Sequence, residues 1–225
     1  MDTNTLVKKY IADMVAMRRE IHRHPELSNK EFDSTKRIEK FLKGCGIEIL
    51  DVGMKTGCIA VLKGGHPGKT VGLREDIDAL PIVEQTGLPF ASENEGVMHA
   101  CGHDIHQTVL MYTAKCLSEI REELYGDVLF IFQPAEEALY GALDTMATKF
   151  YEKCHPDVLA GLHLTAEEKG ADGQCLTSHQ YLARLLDLPE GVEVEAILAL
   201  GHEVKKQRPR TLEEARPERV HWGRV

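Results

Sequence analysis

No stretch of the 225-residue chain approaches the ~18 uncharged apolar residues of a membrane-spanning helix, so a membrane partner is not expected. The opening Met1-Asp2-Thr3-Asn4-Thr5 lacks a basic stretch followed by an apolar run, so no secretory signal is expected. Excess positive charge is lacking too. Against 27 Lys+Arg stand 36 Asp+Glu, a formal charge of −9, and such a field repels phosphates and disfavours nucleic acid as a partner. Cys45, Cys58, Cys101, Cys116, Cys154 and Cys175 form no Cys-x-x-Cys pair. With no signal, reduced thiols and a cytoplasmic location are expected rather than disulfides. Internal repeats and low-complexity tracts are missing as well.

What is present fits a globular chain. Hydrophobic residues make up 43% and charged residues 28%, and a chain of this size buries roughly 70% of its unfolded surface. Leu6, Tyr10, Met14, Met17 and Ile21 recur at helical spacing up to His24-Pro25. Ser28-Asn29-Lys30-Glu31 reads as a capping box opening a helix with Phe32, Ile38, Phe41 and Leu42 inward. Strands are predicted at Ile47–Val52, Cys58–Lys63 and Thr70–Arg74, with a glycine-rich turn over 64–68 between the last two. A helix from His103 to Glu122 with Val109, Leu110, Thr113, Leu117 and Ile120 buried follows, then a strand at Asp127–Phe132, a helix at Glu136–Phe150 and a strand at Val158–Leu164. Alternation of this kind predicts an α/β fold: a twisted, largely parallel sheet with helices on both faces. Residues 205–225 carry seven Lys/Arg against three Glu and read as a solvated tail.

Chemistry concentrates in four places. Met98-His99-Ala100-Cys101-Gly102-His103-Asp104-Ile105-His106 puts a thiol and an imidazole two residues apart at a loop entering a helix, a spacing that suits a borderline-soft metal such as zinc. Asp104 or a backbone carbonyl can hold the far nitrogen of a ligand histidine. Gln133-Pro134-Ala135-Glu136-Glu137 follows an apolar strand, where open α/β sheets place ligands; one carboxylate can bind metal while the other serves as general base. Asp76 and Asp78 fall on one side of an extended backbone and can orient histidines, though an exposed acidic turn has the same spacing. His163, in Gly161-Leu162-His163-Leu164, is by itself a core histidine and, as a fourth strand-end donor, a metal ligand.

Arg19-Glu20-Ile21-His22-Arg23-His24-Pro25-Glu26-Leu27-Ser28 resembles the opening of the metal-dependent N-acyl-amino-acid amidohydrolases, which include hippurate hydrolases, aminoacylases and auxin-conjugate hydrolases. Asp76–Pro81, His99–Asp104, Gln133–Glu137 and Gly161–Leu164 match further motifs of that family in order, over residues 1 to about 170. The resemblance implies a zinc-peptidase-like catalytic domain and hydrolysis of an N-acyl amino acid or related small amide. It implies Cys101, His103, Glu137 and His163 as ligands, with Cys101 bridging two divalent ions (Zn, Mn, Ni or Co), and Glu136 as general base. Asp76, Asp78 and His106 would stand behind the ligands or face the substrate.

The departures set the alternatives. Family members are nearly twice as long, with an inserted lid and dimerisation domain and a last histidine ligand that is not recognisable here. A metal-binding but inactive remnant is therefore the alternative function, and a Cys101 nucleophile the third. Glu75 and Ala138-Leu139-Tyr140 replace small or glycine-rich family segments. Leu188–His202, Arg208–Arg210 and Val220–Trp222 resemble a nitroreductase C-terminal extension. The expected division is thus residues 1–175 as a partial catalytic domain and 176–225 as a tail of different origin, with self-association through an exposed sheet edge.

Overall fold

The computed structural model describes residues 3–166 together with the backbone of 192–201. Cys175 and the expected tail features at 202–225 lie outside the described residues.

Helices α1 (Thr3–Arg23) and α2 (Phe32–Gly44) precede strands β1 (Glu48–Ile49), β2 (Cys58–Leu62) and β3 (Val71–Asp76), and helix α3 (His103–Glu119) then leads to β4 (Val128–Gln133). The short helices α4 (Gly141–Ala147) and α5 (Phe150–Lys153) then lead to β5 (Val158–Ala166) and β6 (Val192–Gly201). The strands form one sheet in the order β1-β2-β4-β3-β5-β6. Parallel pairing occupies its centre, β4 with β3 and β3 with β5, while the remaining pairs are antiparallel.

The alternating pleat sorts side chains to two cores. Cys58, Ala60, Leu62, Phe130 and Phe132 face Ile21, Ile38, Leu42 and Met111 of the long helices. Ile59, Val61, Leu129 and Ile131 face the other way, onto Phe150 and Cys154 of the α5 region. Helices therefore cover both faces, as the alternating pattern predicts. Within the described residues no helix is long and apolar enough to cross a membrane. Each described cysteine is a free thiol.

Several local expectations are corrected. Ser28 and Glu31 do not form a capping box: α2 has no side-chain cap at Glu31. Glu26 supplies it instead, accepting from the backbone N–H of Asp33 at 3.1 Å and Ser34 at 2.7 Å. A carboxylate five residues further back satisfies these first-turn donors as well as a local hydroxyl would, and it adds a favourable charge at the helix start. Phe32, expected inward, is 43% exposed because it sits at that first turn. The 64–68 turn joins β2 to β3 without making them neighbours, and β4 fits between them. The buried face of α3 is centred on Leu110, Met111 and Ala114, with only Leu110 shared with the expected stripe among fully buried residues. Residues 136–140 are not helical. Ala135 and Leu139 adopt φ of 53° and 64°, which a helix cannot contain.

Candidate metal centre

The carboxyl ends of β3, β4 and β5 point the same way, and the chemistry-bearing residues gather there. Asp76 ends β3 opposite Gln133, which ends β4. The chain then turns sharply: Ala135 N–H donates to Glu31 Oε1 at 2.9 Å, and Gly141 N–H closes back on the Ala135 carbonyl at 3.1 Å. A Cβ at Gly141 would lie 1.9 Å from the Pro134 carbonyl oxygen, so only glycine permits this turn. Glu31, fully buried, also accepts from Thr56 Oγ1 at 2.8 Å. The turn sets Glu136 and Glu137 over the sheet end.

His103 and His106 reach the same point from the first turn of α3, which starts after Gly102 in the left-handed region (φ 80°). His103 Nδ1 donates to the Asp78 backbone carbonyl at 2.9 Å, with Asp78 Oδ1 at 3.4 Å. That bond leaves Nε2 to face Glu136 Oε2 at 3.8 Å and Glu137 Oε1 at 3.7 Å. Both His103 Nε2 and Glu137 Oε1 are buried without a hydrogen-bond partner. Cys101 Sγ lies 3.6 Å from His163 Nε2.

Donor atoms of Cys101, His103 and Glu137 fall within 4.8 Å of one another, and so do those of Asp76, His103, His106 and His163. Thiol, imidazole and carboxylate form a donor set for a borderline cation such as Zn²⁺. The unpartnered atoms of His103 and Glu137 are those a cation would satisfy. The residues present therefore fit a metal ion.

Behind these groups, His106 Nδ1 donates to Asp76 Oδ1 at 2.5 Å, and Arg74 holds Asp76 Oδ2 at 2.9 Å. Asp78 Oδ2 accepts from Ser28 Oγ at 2.7 Å and from Glu137 N–H at 3.0 Å. Burial opposes ionisation of Asp76, but its bond to His106 and the charges of His103, His106 and Arg74 outweigh burial and hold its pKa well below the carboxylate range. Burial likewise opposes charge on His103, yet its bond to Asp78 and the nearby Cys101 and Asp76 raise its pKa to about 11. Burial, then the charges of Asp76 and Glu137, push Glu136 upward. His163 is lowered, by burial and then by the charge of His106. A cavity of about 800 Å³ opens beside His163, with Arg74 and Gln133 on its polar side and α4 and α5 on its apolar side.

Asp104 does not hold a ligand histidine. Its carboxylate binds His22 Nδ1 and Arg18 Nε, each at 2.7 Å, tying α1 to the start of α3. His22 Nε2 continues to Glu84 at 3.2 Å. This network and Glu31 were missed as partners of the site. The i, i+4 spacing of Arg18 and His22 on α1 was their one local signal.

The chain matches the Peptidase family M20/M25/M40 over residues 72–209. It belongs to that family. N-acetylcysteine deacetylase of Bacillus subtilis (strain 168) is 53% identical over 136 residues, 60% of this chain and 36% of that protein. N-acetyldiaminopimelate deacetylase of Listeria innocua is 39% identical over 158 residues, 70% of this chain and 42% of that one. The crystal structure of the Bacillus subtilis YXEP protein, described as a dinuclear metal-binding M20 peptidase, superposes with a TM-score of 0.59 at 51% identity, covering 62% of this chain and 40% of that chain. The M20 chain described here thus spans about 36–42% of the length of these relatives.

Proposed function

We propose that this M20 chain hydrolyses the amide bond of N-acyl amino acids, with Cys101, His103, Glu137 and His163 holding two divalent cations and Glu136 acting as general base. The observation that carries it is the convergence of Cys101, His103 and Glu137 donor atoms within 4.8 Å, with His103 Nε2 and Glu137 Oε1 buried and unpartnered. When bound, the cations polarise the amide carbonyl and lower the pKa of a water toward about 7.

The chain's own residues supply the rest. Glu136, half-buried and raised in pKa by its surroundings, is suited to take a proton from water on Oε2 and hand it to the leaving amine. Asp78 fixes the His103 tautomer through its backbone carbonyl and also anchors Glu137 N–H, so one aspartate orients two ligands. Asp76 holds His106 beside His163, the ring centroids 4.7 Å apart. The names of the deacetylase relatives support a small N-acetyl amino acid as substrate.

The test is elemental analysis combined with amine release from N-acetylcysteine and N-acetyldiaminopimelate. Two equivalents of metal with chelator-sensitive turnover support the reading. Metal without turnover would leave the chain a binding module, and metal-free turnover lost on thiol alkylation would make Cys101 a nucleophile.

A further inference from the structure

We infer that Glu75 is a positioning residue which clamps the end of β5 and thereby sets His163 against Cys101, an inference that rests on the metal-centre reading above. Regular pairing of β3 with β5 runs from Val71↔Val158 to Arg74↔Gly161 and ends there. One residue further along each strand, the Glu75 side chain takes over, its Oε1 accepting from Leu162 N–H at 3.0 Å. On the opposite side of β5, the register with β6 shifts between His163 and Leu164. His163 therefore sits where the ladder is interrupted on both flanks. A break of this kind re-aims a side chain, and something else must hold the new direction.

Glu75 is placed to do so. It is 4% exposed, so its carboxyl lies in the interior rather than in solvent. The bond falls on the residue immediately before His163, whose Nε2 lies 3.6 Å from Cys101 Sγ. Metal–ligand distances tolerate only about 0.2 Å of error, so a small drift of the strand end would misplace the imidazole. Glu75 acts through Leu162 and needs no contact with metal or substrate.

The experiment titrates Co²⁺ into the full chain and into variants, following the visible bands of the cobalt–thiolate centre as well as affinity. Glu75→Gln keeps an acceptor for Leu162 N–H and should retain the wild-type spectrum and affinity. Glu75→Met fills the same space without an acceptor and should lose about 10–100-fold in affinity, with altered bands, the scale of losing a group that orients a ligand. In a His163→Ala background, Glu75→Met should cost nothing further. If Glu75→Met does not fold by circular dichroism, Glu75→Thr, too short to reach Leu162, carries the same expectation. Wild-type affinity and spectrum in Glu75→Met would overturn the inference. So would an equal loss with and without His163, which would mark a general structural role, or a loss in Glu75→Gln as large as in Glu75→Met. A wild-type chain that binds no Co²⁺ would instead remove the metal reading itself, and this inference with it.

Discussion

Replacing Glu75 by glutamine should stabilise the metal-free protein at neutral pH, by an amount that depends on pH in a defined way. Burial, reinforced by the charge of Asp76, raises the Glu75 pKa from 4.5 to about 9. The folded chain therefore holds a proton that the unfolded chain releases above pH 4.5. A group of this sign contributes its full stability below the unfolded pKa and loses it as pH rises toward the folded one. Keeping the proton costs about 1.4 kcal/mol per pH unit above 4.5, so at pH 7 wild type should carry a penalty of about 3 kcal/mol that glutamine does not. Glutamine preserves the acceptor for Leu162 N–H, so little is lost in exchange. For a domain of this size the gain corresponds to about 6–12 °C in Tm at pH 7. Thermal melts of both proteins in chelator, from pH 4 to pH 8, would measure it. The two Tm values should converge near pH 4 and separate steadily above it. A constant gap across that range, or a less stable Glu75→Gln at pH 7, would refute a buried neutral carboxyl at this position.

Glu136→Gln should lower turnover by about 10²–10⁴-fold while metal content holds, since an amide cannot take the proton. Glu137→Gln should instead lose metal, and atomic absorption with kinetics on both variants separates the two roles; the reverse pattern would swap them. Glu31→Ala would strand the buried Ala135 N–H and Thr56 hydroxyl, costing about 1–3 kcal/mol and several degrees of Tm by calorimetry; an unchanged Tm would mean the 134–137 turn stands without it. His103, with its pKa raised to about 11, is protonated at neutral pH in metal-free protein, so metal must displace that proton. Apparent affinity should therefore rise about tenfold per pH unit near neutrality from this group alone, with proton release visible by calorimetry in two buffers. Affinity independent of pH would exclude His103 as a ligand that loses a proton.

The order of helices and strands was readable from periodicity because both cores follow it: Cys58, Ala60 and Leu62 alternate with Ile59 and Val61, as a two-sided sheet requires. The candidate site was legible where its residues are close in sequence, as in Cys101-Gly102-His103, which the structure brings together with Glu137. What sequence concealed is set by long-range partners. Glu31 looked like a local cap, but its carboxylate reaches Ala135 across 104 residues. Glu26, not a hydroxyl residue, caps α2. The residues after Glu137 have acceptable helical composition, and only the left-handed backbone at Ala135 and Leu139 diverts them. β6 was not anticipated as a strand, although Val192-Glu193-Val194-Glu195 alternates as a strand does. Nothing local says that it should pair with β5.

Glu26, Glu31, Asp76, Asp78 and Asp104 share one physical role, which explains why the last four lie below the surface and Glu26 is half-buried beside them. Each lies in a loop or at the end of a strand or helix, where backbone N–H groups and imidazoles lack secondary-structure partners. An ionised carboxylate offers several strong acceptor sites, so one side chain can fix two segments at once: Asp78 joins Ser28 to Glu137, and Asp104 at the start of α3 holds Arg18 and His22 of α1. Burying such charges is unfavourable unless cations or donors answer them. Asp76 and Asp104 are answered by Arg74, His106, Arg18 and His22. Glu137 Oε1 and His103 Nε2, 3.7 Å apart, have no hydrogen-bond partner within the protein. These bonded carboxylates thus form the frame, and the pair without hydrogen-bond partners is where the proposed function puts a cation.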